Sequence, residues 1–163
     1  MKRILLLCLL AGLPVAALAQ HSHGYLYAAP GGATARVLSS RRETITTLQL
    51  GAGGEGVLGK SIGIGAELGA LAPTEALEAV VGVFSLNGYY HFFHHGSRAD
   101  PFLTGGYTLA FRGETANLFN FGGGVNYWFI SRLGLKVEIR DHIWTPPGTT
   151  VHAWGVRFGL AFR

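Results

Sequence analysis

The chain has 163 residues, the size of one domain, and is 48% apolar but only 13% charged, about half the usual ~25%. It holds 25 glycines without a Gly-x-y repeat and carries a formal net charge of +4. Such sparse charge excludes a disordered chain, the missing repeat excludes collagen, and a soluble surface would normally be ~25–35% charged. At the start, Lys2 and Arg3 precede the apolar run 4–13, and Ala17-Leu18-Ala19 offers a small-x-small cleavage site before Gln20. Residues 1–19 are therefore expected to be a Sec-type signal peptide, with residues 20–163 as the exported domain. Cys8 lies inside the signal, so no disulfide or thiol chemistry is expected after cleavage. Loss of Lys2 and Arg3 leaves 11 cations against 9 acids, a net +2 that makes no case for nucleic acid.

Beyond the signal, no run of ~18 apolar residues suggests a membrane helix, and the dominant pattern alternates with period two. The first strand expected, 24–30, is short. In 46–55, Leu48, Leu50 and Ala52 oppose Gln49, Gly51, Gly53 and Glu55. In 61–71, Ile62, Ile64, Ala66 and Leu68 oppose Gly63, Gly65, Glu67 and Gly69. In 80–92, Val80, Phe84, Leu86, Tyr90 and Phe92 oppose Ser85, Asn87, Tyr89 and His91. In 102–112, Leu103, Tyr107, Leu109 and Phe111 oppose Thr104, Gly106, Thr108 and Arg112. In 117–129, Phe119, Phe121, Val125, Tyr127 and Phe129 oppose Asn120, Gly122, Gly124 and Asn126. In 133–142, Leu133, Leu135, Val137 and Ile139 oppose Lys136, Glu138, Arg140 and His142. In 151–163, His152, Trp154, Val156, Phe158, Leu160 and Phe162 oppose Ala153, Gly155, Arg157, Gly159 and Ala161.

Eight strands of about ten residues match the ~9–11 needed for a tilted strand to cross a bilayer. An eight-stranded barrel encloses a narrow interior, which the bulky face would overfill and the small face fits. The bulky face is therefore assigned to lipid, and the fold expected is an all-β, eight-stranded antiparallel up-and-down transmembrane barrel. A soluble, lipocalin-like carrier is the alternative if that face were buried. One set of turns is expected at 56–60, 93–100 and 130–132, and the opposite loops at 31–43, 73–79, 113–116 and 145–150. Tyr89, Tyr90, Phe92, Phe93, Tyr127, Trp128, Phe129, Trp144 and Trp154 lie near strand ends, as an interfacial aromatic girdle requires.

Glu67, Arg112, Lys136, Glu138, Arg140 and Arg157 all fall on the inward parity. Lone ions in so narrow a space are costly, so an internal salt-bridge network that plugs the barrel is expected. A narrow or gated path for ions or small solutes along these charges is the alternative. His21, His23, His91, His94 and His95 gather near strand ends without the fixed geometry a metal needs, so no metal site is expected. Neither catalytic residues nor a cofactor are expected. His152 faces outward near one rim with Thr150 two residues away, a thin basis for a lipid A-modifying hydrolase. Arg36, Arg41 and Arg42 form a small basic patch that could meet lipopolysaccharide phosphates.

Taken together, the signal peptide, Leu50-Gly51-Ala52-Gly53-Gly54 leading to Gly63-Ile64-Gly65-Ala66-Glu67, residues 121–128 followed by 132–141, and the aromatic-alternating last strand resemble the OmpA/OmpX-like superfamily of small bacterial outer-membrane β-barrels. The resemblance implies a monomer in the outer membrane, surrounded by membrane lipid and lipopolysaccharide. It also implies insertion by the barrel-assembly machinery, which in this family reads an aromatic residue at the end of the last strand; here Phe162 precedes Arg163. A structural or surface-interaction role, without enzymatic activity, goes with that resemblance.

Overall fold

The computed structural model describes residues 21–37, 42–58, 60–92 and 97–163, so the signal peptide expected at 1–19 lies outside the described residues. Eight strands follow in chain order: β1 (His21–Val37), β2 (Arg42–Leu58), β3 (Ile62–Pro73), β4 (Val81–His91), β5 (Ala99–Arg112), β6 (Glu114–Ile130), β7 (Leu133–Trp144) and β8 (Thr149–Phe162). Each pairs antiparallel with the next, and β1 pairs with β8 to close the barrel. Closure leaves no edge strand, so every ladder finds a partner on both sides. The near end of the barrel is where β1 begins and β8 finishes; the far end is opposite. No helix among the described residues is long and apolar enough to cross a membrane, and the crossing elements are strands.

The strands are longer than the alternation alone suggests. β1 continues from 31 to 37 through Gly-Gly-Ala-Thr-Ala-Arg-Val, where small residues blur the pattern, because β2 and β8 both supply register partners there. Three far-end connections therefore shrink, to residues 38–41 (outside the described residues), 113 and 145–148, while the one after β3 keeps its length at 74–80 and contains a short 3-10 turn at Leu77–Ala79. The β5–β6 reversal takes place at Gly113, whose φ of +75° only glycine adopts without strain. At the near end the connections are residues 59–61, 92–98 and 131–132.

The two faces separate by parity. Leu68, Phe119, Ile139 and Leu160 are more than half exposed on the outer wall, while Glu67, Asn120, Arg140 and Ala161 beside them are buried inside. The interior is not small throughout: Tyr25, Tyr27, Tyr89, Phe102 and Trp128 are buried in it as well. Trp128 and Tyr89, expected in the aromatic girdle, thus point into the barrel, in keeping with their strand parity. Tyr90, Phe92, Tyr127, Phe129, Trp144 and Trp154 are exposed on the outer wall near strand ends, as a girdle requires. Phe93 lies outside the described residues.

Candidate functional site

The interior is built by pairing long side chains with glycines. Glu67 on β3 stands opposite Gly53 on β2. On β7, Glu138 and Arg140 stand opposite Gly124 and Gly122 of β6, while Lys136 and Arg140 stand opposite Gly159 and Gly155 of β8. A Cβ at Gly53 would fall 2.7 Å from the Tyr25 ring and 2.8 Å from Glu67 Cγ, so the glycine vacates the space those side chains fill. Alternation then does the rest: Lys136, Glu138 and Arg140, two apart on one strand, all face inward.

At the centre, the Glu67 carboxylate accepts four hydrogen bonds. Oε1 accepts from Tyr25 at 2.7 Å and from Tyr89 at 3.1 Å; Oε2 accepts from Arg140 Nη1 at 3.0 Å and Arg157 Nη1 at 2.8 Å. Glu138 is the register partner of Arg157 and lies 3.5 Å from its Nη1; its other contacts are Arg140 Nε and, at 3.6 Å, Lys136 Nζ. The Lys136 ammonium is also enclosed by rings, with the centroids of Phe102, Tyr25 and Tyr89 at 3.9, 4.6 and 5.2 Å. Arg157 donates to Gln49 Oε1 at 3.3 Å and lies over the Tyr27 ring, and Gln49 donates back to the Tyr27 hydroxyl at 3.1 Å. Glu67, Lys136, Glu138, Arg140 and Arg157 are each at most 3% exposed.

Toward the far end the charges give way to neutral bonds: Ser85 to Thr108 at 2.8 Å, and Asn120 Nδ2 to Thr108 Oγ1 at 2.9 Å. Toward the near end, buried Glu55 receives His91 Nε2 at 2.5 Å, and Asp100 receives His91 Nδ1 at 2.9 Å. His23 approaches the other Glu55 oxygen at 3.5 Å and meets Trp128 edge-on, with ring centroids 5.6 Å apart. Arg163 then stacks over Trp128 at 4.1 Å and donates to the Ser131 carbonyl, covering that mouth. Three acids, Glu55, Glu67 and Glu138, thereby share the buried space with the basic side chains of Lys136, Arg140 and Arg157. The void beside Gln49, Arg140, His142 and Arg157 is about 10 Å³, about what one water requires and too small for a hydrated ion.

Arg112, the sixth charge expected inside, is exposed instead. It ends β5 beside Gly113, and its guanidinium donates to the Glu78 carbonyl at 3.1 Å, outside the barrel lumen. The aromatic and hydrogen-bonding members Tyr25, Tyr27, Gln49 and Tyr89 were missing from the expected network, although Gln49 and Tyr89 carried its parity. Of the histidines, His23 and His91 converge on Glu55, His94 and His95 lie outside the described residues, and no cluster of metal-ligating geometry occurs among the described residues. On the outer wall His152 Nδ1 meets Asp141 Oδ2 at 2.6 Å, a pair across neighbouring strands. For the basic patch, Arg41 and the side chains of Arg36 and Arg42 lie outside the described residues.

The comparisons agree with this architecture. A family model described as "Outer membrane protein beta-barrel domain" matches residues 5–162. The fold is similar to the N-terminal barrel of Pseudomonas aeruginosa OprF, at 16% identity and a TM-score of 0.57, covering 86% of this chain and 98% of that one. It is similar to the neisserial surface protein NspA, at 14% identity and a TM-score of 0.58, covering 85% and 96%. A designed transmembrane β-barrel is similar at 12% identity and a TM-score of 0.53, covering 86% and 93%. No curated protein matches the sequence significantly. With its closed eight-stranded wall, apolar outside and charged inside, the chain belongs to the outer membrane protein beta-barrel domain family, whose place is the bacterial outer membrane.

Proposed function

We propose that this protein is a closed, non-conducting outer-membrane barrel with a structural or surface-interaction role and no enzymatic activity, exported by the signal in residues 1–19 and inserted as a monomer. The observation that carries this reading is the four-fold ligation of the Glu67 carboxylate by side chains from β1, β4, β7 and β8. Those bonds span the lumen, so the network ties opposite walls together where an open pore would hold water. A buried charge is stable only when paired and hydrogen-bonded, and here each partner is supplied by a different strand. Orientation follows the even strand number of outer-membrane barrels, with the near end toward the periplasm.

Single-channel recording in planar bilayers tests this. The expected result is an absence of steady conductance in protein that migrates as a folded barrel on unheated SDS gels. A reproducible open level would replace the plug with the gated pore, for which the charge-lined axis from Asp100 through Glu55 and Lys136 to Glu67 offers a route. Lipid A mass profiles with and without expression test the enzymatic alternative, to which the exposed Asp141–His152 pair alone lends support.

A further inference from the structure

The barrel's near rim carries a ring of exposed cations. At the near end each connection presents one cation: Lys60 in residues 59–61, Arg98 in 92–98, and Arg132 in 131–132, all exposed. None of these three side chains is engaged in an ion pair or hydrogen bond among the described residues. The acids at that level do not neutralise them, because Glu55 is buried against His91 and His23, and Asp100 is bound to His91. Each of these connections also carries or adjoins an exposed apolar residue of the outer wall: Ile62, Phe92 and Ile130, at 59%, 52% and 59% exposure. These residues mark the level where hydrocarbon ends, and the cations therefore stand at the height of the headgroups. The far end differs: Glu43, Glu75, Glu78 and Glu114 are exposed there, Arg112 is held by a carbonyl, and Arg41 and the side chains of Arg36 and Arg42 lie outside the described residues.

We propose that the near rim binds the phosphates of anionic phospholipids in the leaflet that surrounds it, through Lys60, Arg98 and Arg132. Because the connections alternate around the closed wall, the three cations are spread around the circumference, matching an annulus of lipid rather than one compact ligand. Arg163 is not part of this set, since its guanidinium is committed to Trp128 and Ser131. The site is independent of whether the lumen conducts.

The test uses the full exported domain refolded into phosphatidylcholine bilayers that contain a trace of spin-labelled phosphatidylglycerol or spin-labelled phosphatidylcholine. Electron paramagnetic resonance reads the immobilised boundary fraction of each probe. At low salt the anionic probe is expected to be enriched by at least about fivefold, the equivalent of one engaged cation, and salt should reduce the enrichment. The triple variant K60Q/R98Q/R132Q should lose it, while the far-rim variant E75Q/E78Q keeps it. The three residues lie in connections or exposed positions, and each single variant should lower the enrichment on its own, so a misfolded triple variant would not leave the proposal unexamined. Equal binding of both probes by the wild-type protein overturns it. So does an enrichment that the folded triple variant retains.

Discussion

Glu67 and Leu68 are neighbours in sequence and inhabit different solvents. Glu67 is 3% exposed and bonded to four side chains across the lumen, whereas Leu68 is 59% exposed on the wall that faces lipid. The inner wall depends on particular partners at particular distances. The outer wall asks only for an apolar side chain of any shape, because lipid tails conform to it. The same alternation runs along every strand, so a one-residue shift of register would exchange the two solvents for a whole strand.

The largest break in this contrast is expected from Glu67→Ala. It removes the carboxylate hydrogen-bonded to both Arg140 and Arg157 and leaves these buried cations with Glu138 alone, at a cost of about 3–5 kcal/mol. Denaturant unfolding of vesicle-inserted protein would show it, and an unchanged midpoint would mean the central network is not what holds the lumen. Next comes Leu68→Arg on the outer wall, at about 2–4 kcal/mol if the residue lies near the midplane. Refolding yield as well as stability should fall, whereas Leu68→Ile should match the wild type. Gly53→Ala tests the space that the glycines leave: its Cβ meets the Tyr25 ring and the Glu67 side chain, and overpacking of this kind costs about 1–3 kcal/mol. Comparing heat-shift midpoints on SDS gels with those of Gly54→Ala sharpens the point, since a Cβ at Gly54 meets nothing closer than 3.7 Å. The smallest effect belongs to Ile139→Leu on the outer wall, expected within about 0.5 kcal/mol of wild type by the same unfolding measurement. A large loss there would mean that the outer wall also has specific partners.

Parity proved a better guide than position along a strand. Trp128 and Tyr89 sit near strand ends and so invite a place in the girdle, but each shares the parity of buried neighbours, Asn126 and Asn87, and each turns inward. Arg112 shows the limit of the same rule. It has the parity of Thr108, but at the last residue of β5 there is no longer a closed lumen to enter, and the Glu78 carbonyl outside takes its guanidinium. The near-end group of His23, Glu55, His91 and Asp100 was harder to see. These residues come from four strands, and the spacing between them in the chain says nothing about which end of the barrel they share.

The sequence made the class of this protein legible: the period of two, the scarcity of charge and the count of strands all follow from local chemistry along the chain. It also determined which face meets lipid, because an eight-stranded lumen has no room for the bulkier set. Tertiary structure alone decided which inward residues meet. Glu67 lies 73 positions from Arg140 and 90 from Arg157, and only the closure of β8 onto β1 brings their side chains into one bonding distance. Ion pairing depends on separation in space, and in a closed barrel that separation is set by register and shear, which no local pattern of residues encodes.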